Sequence, residues 1–203
     1  MNNIDKIFND ASDIKEFSSQ YMDYLNSILK SINSEQIEKF VEVILEAREQ
    51  ESQIFFIGNG GSASTASHFA NDMAIGTRSL DKPFKAISLT DNVSIISAIG
   101  NDYGFDEIFY QQTKLYLKKN DVLVAISASG NSKNLIKAVD YVNAIGGITI
   151  GISAFDGGKL CKKSMHSVHV PTEQGEYGPA EDCHLIINHL VSNYLLRLVM
   201  AKN

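Results

Sequence analysis

Several features that mark other classes of protein are scarce or absent in this chain of 203 residues. It contains two cysteines, Cys161 and Cys183, which form no CxxC pair, so a reduced, cytosolic setting is expected. No run approaches the roughly 20 apolar residues of a membrane span. Residues 1–21 carry charges throughout, unlike the apolar core of a signal peptide. We therefore expect a cytoplasmic protein that does not insert into a membrane.

Positive charge is also in short supply. Lysine and arginine number 18 against 24 aspartates and glutamates, which gives a net charge of −6. A nucleic-acid-binding face is therefore not expected. An anionic ligand would have to be bound by local N–H groups and hydroxyls, because the chain has no broad positive field. The length and a hydrophobic content of 44% favour one globular domain spanning residues 1–203.

Two amphipathic helices are predicted before the first strand. Apolar residues recur at helical spacing through residues 3–31, and a second helix is predicted to begin at Ser34, where Glu35 and Glu38 favour a helix N-terminus. We expect residues 1–50 to form a helical N-terminal extension of the single domain. Its aromatic side chains would suit packing in an oligomer, and packing onto their own domain is an equal alternative.

The remainder of the chain alternates short apolar runs with helical patterns. Strands of this length with helices between them indicate βαβ units and a parallel sheet, so the predicted fold class is α/β. A loop at residues 171–179 is rich in Gly and Glu, and long loops in such folds often carry function. The predicted strands are residues 54–57, 84–89, 121–127, 147–153 and 167–170. The predicted helices are residues 92–99, 105–117, 131–145 and 180–200.

A glycine turn follows the first predicted strand. Gly58, Gly60 and Gly61 let the backbone turn sharply and approach a ligand closely. Ser62 is predicted to cap the helix that follows, with its hydroxyl beside the free N–H groups of the first turn. A strand, a glycine turn and a helix start together form the elements of an anion-binding site.

A second turn of the same kind follows the strand at residues 121–127. Ser127, Ser129 and Ser132 gather three hydroxyls around Gly130 at the start of the next helix, where the helix dipole favours an anion. Each turn alone is a weak signal. Ligands in open α/β sheets, however, bind outside the carboxyl ends of strands, where both turns would lie. Neither turn matches a Walker A loop or the dinucleotide-binding fingerprint.

Side chains of the metal-ligand type occur on two predicted helices. His68 and Asp72 are four residues apart, so they share one helix face. Such nitrogen and oxygen donors suit zinc or another divalent ion. A lone helical histidine is more often a packed residue, and acids at a helix start are explained by the dipole alone, so these patterns do not establish a metal site. The last helix offers Glu181 and His189, with Asp182 and His184 as rivals.

A resemblance to a known family joins these patterns. The Gly-Asn-Gly-Gly-Ser stretch that begins at Gly58, the Ser-x-Ser-Gly-Asn-Ser stretch that begins at Ser127, and the histidine-bearing last helix resemble the sugar isomerase (SIS) fold. Within it the chain is most similar to the phosphoheptose isomerases, from about Ile37 to the C-terminus. The resemblance implies a three-layer sandwich with a mostly parallel five-stranded sheet, preceded by N-terminal helices.

The resemblance also implies an activity. It is the aldose–ketose isomerisation of sedoheptulose 7-phosphate to D-glycero-D-manno-heptose 7-phosphate through an enediol, for the heptose of surface polysaccharides. A homotetramer and one zinc ion per active site are implied as well. The implied base is Asp72 and the implied acid is His189. The implied metal ligands are His68, Asp72, Glu181 and His189. The implied substrate-binding residues are Asn59, Gly60, Gly61, Ser62, Asp91, Ser127, Ser129, Ser132 and Glu181.

Two positions depart from the family's usual residues. Asp72 stands where glutamate is usual, and Glu181 stands where glutamine is usual. The shorter acid reaches about 1.5 Å less far, and a displacement of about 1 Å can cost on the order of a hundredfold in rate. The added charge at Glu181 would strengthen metal binding or repel a phosphate. These departures leave open an isomerase for another phosphosugar. A non-catalytic phosphosugar-binding module or replication-initiator adaptor is a further alternative, although the ionisable side chains at all four ligand positions favour chemistry.

Overall fold

A five-stranded parallel sheet forms the centre of the computed structural model, which describes residues 1–201. The spatial order is β2-β1-β3-β4-β5, and every neighbouring pair is parallel. The predicted α/β class is therefore confirmed, and the sheet is parallel throughout. The strands are β1 (Gln53–Gly58), β2 (Lys85–Ser88), β3 (Val122–Ser127), β4 (Ile148–Ser153) and β5 (His166–His169).

Nine α-helices surround this sheet within residues 1–201. A π-helical turn, Asp72–Gly76, continues the fourth helix, and a 3-10 turn, Phe105–Glu107, precedes the sixth. The helices are α1 (Asn3–Asp10), α2 (Ile14–Ser31), α3 (Ser34–Glu49), α4 (Gly61–Asn71), α5 (Val93–Asp102), α6 (Ile108–Tyr116), α7 (Lys133–Ala144), α8 (Gly158–Lys163) and α9 (Tyr177–Met200). The periodicity did not predict α8, which has only six residues.

The sheet separates two hydrophobic cores, because alternate strand residues point to opposite faces. In β1, Ile54 and Phe56 face a core shared with α3, α4 and α9, whereas Phe55 and Ile57 face a core shared with α6, α7 and α8. All four side chains are buried, as is usual for a parallel sheet covered by helices on both faces. The three-layer sandwich implied by the resemblance is therefore confirmed.

The helical stretch predicted at residues 3–31 is two helices rather than one. Ala11 is extended and ends α1. The side chain of Asp13 then accepts hydrogen bonds from the backbone N–H groups of Lys15 and Glu16, which makes Asp13 the N-cap of α2. The break was overlooked because the apolar spacing continues across it.

The N-terminal helices are attached to the rest of the domain through the start of α9. Glu176 is almost fully buried, and its carboxylate accepts hydrogen bonds from the Asn3 backbone N–H at 2.7 Å and the Tyr24 hydroxyl at 2.6 Å. Burial and this carboxylate raise the pKa of Tyr24. The hydroxyl of Tyr21 donates to Asp182 at 2.5 Å. These helices therefore help to fix the N-terminal end of α9, which carries part of the candidate site.

Two further features are the hydropathy of the helices and the state of the two cysteines. No helix within residues 1–201 has both the length and the hydropathy needed to cross a membrane. Cys161 and Cys183 are both free thiols. Burial raises the pKa of the Cys183 thiol to about 12, which keeps it protonated and unreactive.

Candidate functional site

The first glycine turn joins β1 to α4. Gly60 has a positive φ of 55° and is the N-cap residue of α4, a conformation that favours glycine. The predicted cap was wrong in detail, because Ser62 lies inside the first turn of the helix and is buried. Since the N-cap residue has no side chain, it leaves the N–H groups of this first turn without a side-chain cap.

The second turn joins β3 to α7 and is held by its own serines. The Ser127 hydroxyl accepts a hydrogen bond from the Gly130 N–H at 3.1 Å, and the Ser129 hydroxyl accepts one from the Asn131 N–H at 3.3 Å. Gly130 has a positive φ of 60°, and a β-carbon there would collide with the carbonyl of Gly157. Ser132 is the N-cap of α7, and its side chain makes no capping hydrogen bond. The N-cap side chain therefore does not cap α7, although the Leu135 N–H donates to Asn134 Oδ1 at 2.9 Å.

A reciprocal pair of amide hydrogen bonds joins the two turns. The Asn59 side chain donates to Asn134 at 3.0 Å, and the Asn134 side chain donates back to Asn59 at 2.9 Å. The two turns follow β1 and β3, which are neighbours in the sheet, while the connection from β1 to β2 runs the other way. The turns thus flank the point where the strand order reverses, which is the usual ligand site of an open α/β sheet.

Helix α4 extends from the first turn, and α9, which follows β5, lies beside it in the same direction. At one end, a β-carbon on Gly61 would collide with the end of the Glu181 side chain, so a larger residue there requires that flexible carboxylate to shift. At the other end, the rings of His68 and His189 lie 5.0 Å apart. Seven residues of α-helix separate Gly61 from His68, which is roughly 10 Å along the axis.

A group of two histidines and one carboxylate lies at the far end of the α4–α9 pair. Within residues 1–201, the ligand atoms of His68, Asp72 and His189 all lie within 4.8 Å of one another. The Asp72 Oδ2 atom is 3.3 Å from His68 Nε2 and 3.9 Å from His189 Nε2. This donor set suits a divalent metal ion, because two imidazoles and one carboxylate are the protein ligands of many catalytic zinc sites. The three residues thus form a candidate metal-binding group.

The backbone and a buried amide fix where Asp72 lies. Asp72 begins the π-helical turn that continues α4, and such turns are frequent at functional sites. Its Oδ2 atom accepts a hydrogen bond from the side chain of Asn188 at 3.0 Å, and its Oδ1 atom accepts one from Asn71 at 3.2 Å. The carboxylate is therefore oriented from both sides.

The structure does not bring Glu181, the fourth expected ligand, into this group. Its carboxylate instead covers Gly61 at the start of α4, which is the opposite end of the helix pair from the histidines. The two rival residues also lie outside the group. Asp182 accepts a hydrogen bond from Tyr21, and His184 is buried in the core. Glu181 thus lies at the glycine-turn end of the α4–α9 pair.

His184 has an unusual environment for a titratable residue. It is 1% exposed, and neither ring nitrogen has a hydrogen-bond partner. Burial lowers the pKa of His184 to about 4, with a smaller opposing effect from the nearby Ser153 backbone. The imidazole is therefore neutral at pH 7, which suits a packed residue rather than a proton donor.

Asp91 lies at the carboxyl end of β2 and faces α4. Its Oδ1 atom accepts a hydrogen bond from the Ser67 hydroxyl at 2.5 Å, and the Thr90 hydroxyl lies at 3.3 Å from the same atom. The Asp91 side chain is exposed, on the same edge of the sheet as the glycine turns. The structure thus ties this expected substrate-binding residue to α4, next to His68.

An open pocket of about 320 Å³ adjoins the candidate metal-binding group. Its remaining lining residues, Gly76, Ser192, Asn193 and Leu196, come from the π-helical turn and from α9. His68 and His189 are nearly half exposed and Asp72 is less so, with side-chain exposures of 43%, 49% and 22%. A small molecule in this pocket can therefore reach the ligand atoms.

Sequence reasoning overlooked two asparagines that shape the site. Asn134 joins the two turns through Asn59, and Asn188 contacts Asp72. Both are buried, with exposures of 2% and 0%. A signal was present for Asn188, because it interrupts the apolar face of the last helix, and a buried polar residue in a helix requires a partner.

Comparisons with known proteins agree with this architecture. Residues 20–154 match the sequence profile of the SIS domain. The chain is 33% identical over 186 residues to the phosphoheptose isomerase of Helicobacter pylori strain P12, covering 91% of this chain and 96% of that protein. The chain belongs to the SIS domain family, in its phosphoheptose isomerase branch. The profile match ends before α9, so the candidate metal-binding group is only partly inside it.

Further relatives extend the likeness over the whole length. The chain is 28% identical to the Aquifex aeolicus phosphoheptose isomerase over 201 residues, 98% of each chain. The solved structure of phosphoheptose isomerase GmhA from Neisseria gonorrhoeae superposes with a TM-score of 0.80 at 29% identity, covering 90% of this chain and 98% of that one. A phosphoheptose isomerase structure from Francisella tularensis, at 23% identity, has the same fold with a TM-score of 0.81 and covers 97% of this chain and 100% of that one.

Proposed function

We propose that this protein is an aldose–ketose isomerase that interconverts sedoheptulose 7-phosphate and D-glycero-D-manno-heptose 7-phosphate, as a step in making the heptose of surface polysaccharides. The observation that carries the proposal is that the two ends of the α4–α9 helix pair carry different kinds of group. Two joined glycine turns, with helix starts that have no N-cap side-chain hydrogen bond, lie at one end of the α4–α9 pair, and His68, Asp72 and His189 meet at the other. The relatives named phosphoheptose isomerase support the choice of substrate.

The phosphate group of the sugar would bind at the two turns. Hydroxyl groups and helix N-terminal N–H groups are the donors there, which suits a protein whose net charge is −6. Asp91 would face the sugar between the two ends, and Glu181 would face it at the turn end. The proposed substrate-binding residues are Asn59, Gly60, Gly61, Ser62, Asp91, Ser127, Ser129, Ser132 and Glu181.

The proton transfers would occur at the other end. Isomerisation moves one proton between C1 and C2 and one between their oxygens, through an enediol, so it needs no external oxidant or reductant. Asp72 would act as the base that removes the carbon-bound proton and returns it to the neighbouring carbon. His189 would act as the acid at the adjacent oxygen. The two side chains face each other across 3.9 Å, so one sugar carbon pair can contact both.

A divalent metal ion, with zinc as our proposal, fits the same group, one ion per active site. His68, Asp72 and His189 would hold it, because their donor atoms lie within 4.8 Å of one another and are of the type that zinc prefers. When bound, such an ion polarises the sugar oxygens and stabilises the developing negative charge. A carboxylate has two oxygens, so Asp72 can serve as ligand and as base. Glu181 would join the ligands only after moving away from Gly61.

Two properties of the intact protein belong to the same proposal. Large apolar side chains are exposed on α1 and α5 and between α5 and α6, including Phe8 at 69%, Val93 at 74% and Phe105 at 60%. They would be covered in a homotetramer, which light scattering coupled to gel filtration would measure. We also propose a cytoplasmic location, which the free thiols of Cys161 and Cys183 fit.

The direct test is turnover of sedoheptulose 7-phosphate with Zn²⁺ supplied, followed by NMR for the aldoheptose phosphate. We expect product with the parent protein and none with His189→Ala. Sedoheptulose without the phosphate should react far more slowly, because the two turns would have no anion to bind. Absence of turnover by the folded, metal-supplied parent would refute the isomerase proposal.

An isomerase for a different phosphosugar is the second candidate. The observation that favours it is the Glu181 carboxylate over Gly61, which places a negative charge beside the proposed phosphate position. A panel of pentose, hexose and heptose ketose phosphates distinguishes the two candidates. A higher kcat/KM for a shorter sugar would select the second. Binding of a phosphosugar without any turnover would instead indicate a non-catalytic sensor or adaptor.

A further inference from the structure

We propose that Asn188 is a positioning residue that aims the Asp72 carboxylate at His68 and His189. The inference rests on the proposed function, in which Asp72 works as ligand and base. Asn188 belongs to α9, and its Nδ2 atom donates to Asp72 Oδ2 at 3.0 Å. That same oxygen is the one that faces both histidines.

The first argument is the cost of placing an amide at this position. Asn188 is 0% exposed and lies in the interior of a long helix, beside the apolar core residues Ile187 and Val191. Asparagine is a weak helix former, and burying an amide costs roughly 1–3 kcal/mol unless it is hydrogen-bonded. An apolar residue would pack here at lower cost, so the amide must be retained for its contacts.

The second argument is the direction of the hydrogen bonds. Asn188 Oδ1 accepts a hydrogen bond from the Ser192 hydroxyl at 2.9 Å, one helical turn further along α9. The acceptor side of the amide is thereby directed to Ser192 and the donor side to Asp72. An ionised carboxylate only accepts hydrogen bonds, so the opposite amide orientation would bring two acceptors together. The chain from Ser192 through Asn188 to Asp72 therefore has one consistent direction.

The third argument is the short reach of the acid. An aspartate carboxylate extends about 1.5 Å less than a glutamate carboxylate, and it rotates freely about its last bond unless something holds it. Asn188 occupies one lone pair of Oδ2 and leaves the other directed toward the histidines. Outer hydrogen bonds of this kind orient metal-ligating side chains, and their removal typically costs about 10- to 100-fold in metal affinity or activity.

The test is Asn188→Leu, which is nearly isosteric and fills the same space without a donor. We expect Zn²⁺ affinity, measured by competition with a chelator, to fall about 10- to 100-fold. The visible spectrum of bound Co²⁺ should also change, because the carboxylate ligand is no longer held. The KM for the phosphosugar should change little while kcat falls. Asn143→Leu in α7 is the matched control, since the Asn143 side chain contacts the Lys163 carbonyl and the Thr149 hydroxyl on the opposite face of the sheet from Asp72.

A second variant guards against simple misfolding. In the Asn188→Leu background, Asp72→Glu supplies a longer carboxylate that reaches the histidines without a guiding amide. We expect this double variant to regain most of the lost Zn²⁺ affinity, a rescue that a purely structural role for Asn188 would not produce. Unchanged Zn²⁺ affinity in folded Asn188→Leu, or no rescue by Asp72→Glu, would overturn the inference. Metal affinity is measured without substrate, so a failure of the isomerase proposal would show separately, as absent turnover in the parent.

Discussion

The proposed phosphate end of the site consists of backbone turns and short hydroxyls, whereas the proposed reaction end consists of longer side chains from two helices. At the phosphate end, the turns follow adjacent strands and are joined by the amides of Asn59 and Asn134. At the reaction end, His68 and His189 come from α4 and α9 and are nearly half exposed. One end is fixed by the sheet, and the other depends on how two helices pack.

This difference separates two kinds of function. A rigid turn can bind the part of a substrate that does not react, and a phosphate is recognised mainly by N–H groups and hydroxyls. Proton transfer instead needs ionisable side chains held within hydrogen-bond reach of the reacting atoms. Substitutions at the two ends should therefore affect different kinetic constants, KM at the turns and kcat at the helices.

The largest effect is expected at the reaction end. Asp72→Ala removes the proposed base and one metal ligand, so kcat should fall about 10²- to 10⁴-fold while the KM for the phosphosugar changes little. Steady-state kinetics with Zn²⁺ supplied would measure both constants. Asp140→Ala is the control, because that exposed acid bonds only to Lys163 at the far side of the domain. Equal losses in both variants would contradict the assignment.

His184, between the two ends on α9, should make stability depend on pH. Because the folded-state pKa is about 4, below the ordinary 6.5, the unfolded chain gains a proton first as pH falls. The neutral His184 side chain thus stabilises the folded protein fully above about pH 6.5. As the pH falls to about 4, the free energy of unfolding should decrease by up to roughly 3 kcal/mol. Urea unfolding from pH 4.5 to 7.5 would show it. His184→Leu should flatten this part of the profile, and an unchanged slope would contradict the prediction.

Ser129→Ala tests the phosphate end alone. Losing one hydrogen bond to a charged group costs about 1.5–3 kcal/mol, so KM for the phosphorylated sugar should rise about 10- to 100-fold with kcat nearly unchanged. The slow reaction of the unphosphorylated sugar should not change. Ser97→Ala, an exposed serine on α5 that bonds only to a backbone carbonyl, serves for comparison. A fall in kcat rather than a rise in KM would contradict the assignment of Ser129 to phosphate binding.

Gly61→Ala should give the smallest effect of the set, on stability. The added β-carbon would meet the end of the flexible Glu181 side chain, which must shift, so the cost should not exceed the low end of typical overpacking, about 1 kcal/mol. Adding Glu181→Ala should recover most of that loss, which a thermal-unfolding double-mutant cycle would measure. Gly100→Ala is the matched control, since its β-carbon would meet nothing closer than Ile108 at 3.8 Å. Additive losses in the cycle would contradict the close contact.

Local patterns predicted the sheet and the phosphate end better than the reaction end. The turns at Gly58 and Ser127 were readable because a strand, a turn and a helix start are adjacent in sequence. Their junction through Asn134 was not readable, since it depends on which strands become neighbours. His68 and Asp72 could be paired from helical spacing, but the contact of Asp72 with Asn188 joins residues 116 positions apart. The position of Glu181 over Gly61, away from the histidines, was not readable for the same reason.

The equal direction and fixed register of α4 and α9 have a consequence for substrate choice. Gly61 and His68 lie on the same helix, which rises about 1.5 Å per residue, so the distance between them is fixed unless α4 itself unwinds. A slide of α9 along α4 would instead separate Glu181 from Gly61 and His189 from Asp72 at once. Under the proposed function, the helix rise would therefore set the length of sugar that fits. A ligand two carbons shorter, with its phosphate bound at the turns, would leave its carbonyl out of reach of the imidazoles.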